Sequence, residues 1–382
     1  MVTNYLGRTV EDIIRNWLRP GRAVLVKGAR RTGKTELAKQ VSRTFKGTVL
    51  WLNGEDIDTQ NLLKKRSVRH YQNMLGSTDL LIIDEAQTIT EIGKIVKLMV
   101  DEVEGLRVLL TGSSSVMLTE TAGEPLTGRK VDIDLFPFSV GELRNHYSPV
   151  EMFRQRNERV VYGCYPEVFQ LNTNKERETW LAEMVRSYLL KDVLMLHELR
   201  ESEKILRLLQ LLAWQIGQEV STQELGRELS MSKNTAERYL FLLTDAFVIY
   251  PLGGYQKNLR KEIVKSRKWY FVDTGIRNAI ISDFRDPDFR PDKGALWENF
   301  LISERLKYHR SRLNQVKFHF WRTYDRQELD LLESDGHGLS AFEIKWKEPD
   351  RWQAPRGFRN AYPDAPVSLI HQDNYMEWLC KR

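Results

Sequence analysis

Apolar residues fall into two patterns along this chain: short continuous runs that suit strands buried on both faces, and stripes at i, i+3 and i+4 that suit one side of a helix. Val10, Ile13, Ile14 and Leu18 follow helical spacing, so a leading helix is predicted before the turn at Pro20 and Gly21. Residues 23–26, 48–52, 79–83, 106–111 and 131–135 read as buried strands, with a polar stretch running to Tyr71. Further on, a helix is predicted over 180–196, where Leu181, Met184, Val185, Tyr188 and Leu189 form a core-facing stripe. Three helices follow at 205–216, 222–229 and 233–247, and a strand ends in Phe271-Val272-Asp273-Thr274-Gly275. The last third reads as a helix at 295–308, strands at 316–321, 328–333 and 339–345, a helix near 352–362 and a strand at 367–370.

Length and charge refine that picture. At 382 residues the chain exceeds one typical core, so two or three domains are expected. Its 58 Lys plus Arg against 52 Asp plus Glu leave a net charge of +6, a mild excess compatible with a polyanionic partner. Cys164 and Cys380 stand far apart with no neighbour at zinc spacing, which argues against a disulfide framework or zinc site and for a reduced cytoplasm. The first residues are too charged for a signal peptide and no apolar run is long enough to span a membrane, so a soluble protein without membrane association is expected.

The strand at 23–26 runs into Gly28, Ala29, Arg30, Arg31, Thr32, Gly33, Lys34 and Thr35, which fit G-x-x-x-x-G-K-[ST]. Backbone N–H groups of such a loop wrap a polyphosphate, and the helix that follows points its positive dipole end at the negative charge. The run 79–83 ends in Asp84 and Glu85, a Walker B pattern in which Asp84 serves Mg²⁺ beside the Thr35 hydroxyl and Glu85 orients or deprotonates the attacking water. At the end of the next strand either Thr111 or Ser113 is placed to sense the γ-phosphate; a plain Gly/Ser turn is the alternative. Arg129 is either an arginine finger for a neighbouring subunit in a homo-oligomer or an exposed arginine flanking a strand.

In this order and spacing, GARRTGKTEL, LIIDEAQ, LLTGSSSVML and GRKVDIDLFPFSVGEL resemble the prokaryotic AAA-type ATPases that carry a C-terminal domain of unknown function. That resemblance implies an α/β P-loop NTPase with a parallel sheet, ATP and Mg²⁺ as ligands, nucleotide binding by Gly28, Gly33, Lys34 and Thr35, and metal and water handling by Asp84 and Glu85. Ala29 stands where the family has proline. The expected division is 1–146 for the ATPase, 147–200 for a helical lid or connector containing Gly163-Cys164-Tyr165-Pro166-Glu167, 201–255 for a winged helix and 256–382 for the remainder.

The short turn Ser230-Met231-Ser232 has the length of a helix-turn-helix linker, and Ser232 suits the N-cap of a recognition helix exposing Lys233, Asn234, Glu237 and Arg238. A basic wing follows with Lys257, Arg260, Lys261, Lys265, Arg267 and Lys268, flanked by Tyr255 and Trp269. Such a surface neutralises DNA phosphates without reading sequence; a packing module with a solvated lysine face is the alternative.

The order of the last elements resembles the PD-(D/E)XK nucleases. Glu343 and Lys345 share one face of a strand because i and i+2 side chains point the same way. Asp330 and Glu343 are the expected Mg²⁺ ligands, Glu298 joins through water, and Lys345 assists the hydrolytic water; Leu329 replaces the motif's proline. Two functions follow: an ATP-hydrolysing protein acting on DNA in which nucleotide state gates a Mg²⁺-dependent nuclease, or a nucleotide-driven switch binding DNA or a protein through the winged helix, with an inactive nuclease-like scaffold.

Overall fold

The computed structural model describes residues 5–113, 126–189, 202–255, 267–336 and 338–380. These form two compact units, 1–138 with 310–313, and 139–309 with 314–382. The first unit runs to Phe138.

The first unit is built on strands β1 (Arg22–Lys27), β2 (Val49–Asn53), β3 (Leu80–Asp84), β4 (Arg107–Gly112) and β5 (Lys130–Asp134), in the spatial order β2-β3-β4-β1-β5. All pairings are parallel. Helices α1 (Val10–Trp17), α2 (Lys34–Thr44) and α5 (Ile92–Glu102) cover the faces, with α3 (Ile57–Lys64) and α4 (Val68–Leu75) between β2 and β3. Alternate strand residues go to opposite cores: Leu81, Ile83, Val108 and Leu110 pack with Ile95, Val96 and Met99 of α5. Val24, Val26, Ile82 and Leu109 pack with Ile14, Leu37 and Val41 of α1 and α2. β1, β3 and β4 are buried on both faces, which is why they read as unbroken apolar runs, whereas β2 and β5 are half-buried.

Helices α3 and α4 occupy the stretch that reads as polar. Asp56 caps α3 by accepting from the Asp58 and Thr59 amides. The two helices bury only Thr59 and Leu63, and Tyr71 and Leu75, too few for a visible stripe.

The second unit holds a seven-stranded sheet in the order β12-β11-β10-β9-β7-β8-β6. Its strands are β6 (Glu219–Val220), β7 (Ile249–Gly254), β8 (Arg267–Phe271), β9 (Lys317–Arg322), β10 (Glu328–Ser334), β11 (Leu339–Ile344) and β12 (Val367–Ile370). Parallel pairing of β7 with β9, Gly253 opposite His319 and Gly254 opposite Phe320, carries the sheet across the boundary expected at 255/256. The helices Ser202–Trp214, Thr222–Glu228 and Lys233–Asp245 surround one core that includes Leu208, Leu212, Leu225, Leu240 and Leu243. Trp269, expected as an exposed aromatic face, is buried in that core with Phe271 because odd-numbered residues of β8 point into it. Leu181, Met184 and Val185 join the same core from the helix Asn174–Glu183 and the π-helical turn Met184–Leu189 that extends it.

Two short signatures meet here. Asp273 accepts hydrogen bonds from the Gly275 and Ile276 amides, capping the helix Thr274–Ile281, and from the Cys164 amide at 2.8 Å. A Cβ on Gly163, where φ is +71°, would lie 1.9 Å from Asp273 Oδ1, and one on Gly275 would lie 2.2 Å from Tyr162 O. The Gly-Cys-Tyr-Pro and Val-Asp-Thr-Gly motifs thus interlock as packing. The helix they start is absent from the sequence reading because it is buried from Thr274 to Ile280 and has no polar face to set a period. Gly275→Ala is expected to destabilise the protein by roughly 2 kcal/mol or more in urea unfolding, since backbone must move to admit the methyl group; an unchanged midpoint and slope would show that the close approach is not needed.

Candidate nucleotide site and a second acid cluster

The P-loop follows β1 at the carboxyl end of the sheet. Gly28 cannot be larger, because a Cβ there would lie 2.1 Å from Leu135 O. Arg31 and Gly33 have φ of +64° and +93°, and Gly33 turns the chain directly into α2. Lys34, 4% exposed, donates from Nζ to Gly28 O at 2.9 Å and Ala29 O at 3.0 Å, so its ammonium is held over the loop where phosphates would compete for it. Ala29 and Arg30 are half-buried, Arg31 is exposed and Thr32 is buried. Arg8 straps the loop from outside, donating to Thr32 O at 2.9 Å and Phe136 O at 2.5 Å, a role with no motif to announce it.

The strand order places β4 between β1 and β3, and this brings three motifs together. Thr35 Oγ1 donates to Asp84 Oδ2 at 2.9 Å, Thr111 Oγ1 donates to Asp84 Oδ1, and the Glu85 amide donates to Thr111 Oγ1 at 3.1 Å. Of the two sensor candidates, Thr111 is the one bonded to the acids; Ser113 is half-buried just beyond the end of β4. Glu85 has φ of +49°, an uncommon conformation for a residue with a side chain, and it turns the chain out of β3. Gln87 Nε2 donates to Glu85 Oε2, while Gln87 Oε1 is buried with no hydrogen-bond partner among the described residues. Gln87 was not singled out from the sequence; its place two residues after Glu85 is the only cue. The Thr35 hydroxyl and Asp84 carboxylate form a hard oxygen pair of the kind that holds Mg²⁺ together with substrate phosphates, and both partners of Asp84 are neutral, so its charge stays available to a cation.

Residues 20–144 match the family described as an AAA domain. The first unit is an AAA-type P-loop domain. Residues 154–286 and 293–376 match two other families, each described as a domain of unknown function. The chain is 29% identical over 364 residues to an uncharacterized protein of Mycobacterium tuberculosis, covering 94% of this chain and 77% of that one. An uncharacterized protein of Methanocaldococcus jannaschii is 25% identical over 309 residues, 75% and 66% of the two chains. Among solved structures, a Walker-type ATPase of Pyrococcus abyssi aligns over 72% of this chain and 93% of its own with 14% identity and a TM-score of 0.44.

Within the AAA domain Arg129 lies at the amino end of β5, since Lys130 pairs with Ala23 at the start of β1, whereas the P-loop leaves the other end of that strand. Its guanidinium is bonded to Asp101. Among the described residues no helix is long and apolar enough to cross a membrane.

In the second unit, Lys233, Asn234, Glu237 and Arg238 are all exposed on the helix Lys233–Asp245, and Ser232 Oγ caps it by accepting from the Thr235 amide at 3.0 Å. Lys233 pairs with Glu237 at 3.5 Å. Lys257, Arg260, Lys261 and Lys265 lie outside the described residues.

The four residues expected at a nuclease-like site do converge. The helix Lys293–Arg310 supplies Glu298, β10 supplies Asp330, and β11 with the residue after it supplies Glu343 and Lys345. Asp330 Oδ2 accepts from the Ile344 amide at 2.8 Å, and Lys345 Nζ pairs with Glu343 at 2.5 Å. Three more residues belong to the cluster. Tyr270 donates to Glu298 at 2.5 Å, and Lys268 Nζ reaches Glu328 at 2.5 Å and Glu298 at 3.6 Å. Lys268 therefore departs from expectation: it is 3% exposed rather than part of a solvated basic wing, because even-numbered residues of β8 point at Glu298. Among the described residues no three His, Cys, Asp or Glu side chains are grouped so as to hold a metal ion.

Burial, and then the charge of Asp330, push the carboxyls of both Glu298 and Glu343 up to about 7. Burial likewise raises Asp330. A carboxyl raised above its unfolded value of 4.5 adds stability that is complete below that pH and is lost as pH rises through about 7. Thermal melts from about pH 5 to pH 8 should therefore show declining stability in the second unit, and Glu298→Gln should flatten the decline. An identical slope in the variant would mean that Glu298 does not titrate there.

Proposed function

We propose that this protein hydrolyses ATP in its AAA domain and acts on DNA through the second unit, with nucleotide state setting how that unit engages DNA. The observation that carries the reading is the convergence of Lys34, Thr35, Asp84, Glu85 and Thr111 at one sheet end. Lys34 would exchange its loop carbonyls for the β- and γ-phosphates, while the amino end of α2 meets the same charge. Thr35 and Asp84 would hold Mg²⁺, which would supply neutralisation of phosphate charge. Glu85 accepts a proton from the attacking water, and Gln87 holds its carboxylate in place until then.

Support for DNA as the partner comes from residues. The order helix, β6, helix, helix, β7, β8, with β8 between β6 and β7, favours a winged-helix reading of 202–271. Lys233, Asn234 and Arg238 would meet DNA from its third helix. The Lys233–Glu237 pair is exposed on both sides and so competes weakly with phosphate. In a homo-oligomer Arg129 would act as a finger toward a neighbour's nucleotide, leaving an Asp101 pairing whose arginine side chain is 47% exposed.

A second reading, Mg²⁺-dependent cleavage of DNA, is favoured by the convergence of Glu298, Asp330, Glu343 and Lys345 on an arrangement of helix, three strands, helix and strand. Nicking of plasmid DNA by purified protein with Mg²⁺ or Mn²⁺ separates the two.

Lys34→Ala should lower ATP turnover by about 100-fold or more, and Glu85→Gln should lower it similarly while leaving ATP binding intact. Parental turnover in both would overturn the ATPase assignment. Lys233→Ala with Arg238→Ala should weaken DNA binding irrespective of sequence and reduce the salt slope by about one per lost phosphate contact; parental affinity and slope would place the DNA surface elsewhere.

A further inference from the structure

We infer that the acid cluster of the second unit carries its own cation, with the Lys268 ammonium held among Glu298, Glu328 and Asp330 in place of a divalent metal. The inference goes beyond the first reading above, stands against the second, and rests on geometry. Lys268 lies on an internal strand: its backbone pairs with Leu252 of β7 on one side and Glu219 of β6 on the other, so β8 has no free edge at this residue. Its side chain stands on a covered face of the sheet and is 3% exposed, so it does not share its charge with solvent.

The surroundings fit an ammonium. Nζ reaches Glu328 Oε1 at 2.5 Å and Glu298 Oε1 at 3.6 Å, and the Phe320 ring closes one side with its centroid 5.4 Å away. Aromatic faces suit an ammonium, which ring and carboxylates can share. Tyr270, two residues along the same strand, donates to Glu298 Oε1 and occupies a lone pair that a metal would need. Glu328 is further engaged by Arg322 at 3.7 Å, and Glu343 by Lys345 at 2.5 Å. Each of the four carboxylates thus meets a lysine or its field. A divalent ion entering would stand against an ammonium that has nowhere to go, and like charges at such range repel strongly in a buried site.

Removing the ammonium should open the cluster to another cation, a metal ion or a proton, because buried carboxylates left without Lys268 need one. The test uses the full chain without nucleotide, with Asp84→Asn present throughout to silence the AAA domain's cation site. Mn²⁺ binding is read by loss of the free-ion electron paramagnetic resonance signal. With Lys268 in place no stoichiometric Mn²⁺ should bind; Lys268→Met should gain about one Mn²⁺ per chain, and adding Asp330→Asn should abolish it. Lys268→Gln serves as a second variant, and thermal melts report whether each is folded. Stoichiometric Mn²⁺ binding with Lys268 in place that is lost on Asp330→Asn would overturn the inference, and this outcome needs no variant at Lys268. Folded Lys268 variants that neither gain Mn²⁺ nor shift the carboxyl titration of the cluster, read by ¹³C NMR, would overturn it too. The DNA titrations above are independent: their failure beside the expected Mn²⁺ result would remove DNA as the partner and leave Lys268 as the resident cation.

Discussion

A carboxylate placed inside a protein must be compensated, and the identity of its partner decides what the site can do. Asp84 in the AAA domain is 7% exposed and is met by two hydroxyls, Thr35 and Thr111. Hydroxyls satisfy hydrogen-bonding capacity without cancelling charge, so neither of these partners brings Asp84 a counter-charge. Asp330, equally 7% exposed, accepts a backbone amide and lies in the field of Lys268 and Lys345. Two acids with the same exposure thus differ in their partners: Asp84 meets two neutral hydroxyls, whereas Asp330 lies in the field of two lysines.

The architecture enforces this difference. In the first unit the position of β4 between β1 and β3 delivers Thr111 to the flank of Asp84, and the crossover from β1 into α2 delivers Thr35 to the other. In the second unit the cluster draws on both parts of one sheet. β8 lies toward the β6 edge and β10 toward the β12 edge, with β9 and β7 between them, and Lys268 crosses that interval as a long side chain over Phe320. Asn299 pins β8 beside the helix that carries Glu298, accepting from the Phe271 amide and donating to its carbonyl at 2.7 and 2.8 Å.

Much of the first unit was legible because its signals are local. The central strands β1, β3 and β4, buried on both faces, must read as apolar runs, and the P-loop requires Gly28 for close approach and Gly33 for a left-handed turn, so both leave marks in the sequence. Contacts made across strands leave none. Thr111 was one of two residues considered for its role, Gln87 was not considered, and Arg8 is an ordinary arginine until Thr32 and Phe136 are brought to it. In the second unit the order of helix and strands was readable and the i, i+2 relation of Glu343 and Lys345 held. Lys268 misled because composition groups it with its basic neighbours, whereas the pleat of β8 turns it, with Tyr270, onto the face that meets Glu298. The helix Thr274–Ile281 was missed because a helix buried all round has no period to detect.

Anomalous diffraction at the manganese edge, from crystals of the full chain grown with Mn²⁺ and a non-hydrolysable ATP analogue, reads both sites at once. The account predicts a peak beside Thr35 and Asp84 and no peak among Glu298, Asp330 and Glu343. A peak between Asp330 and Glu343, with Lys268 displaced from Glu328, would contradict it.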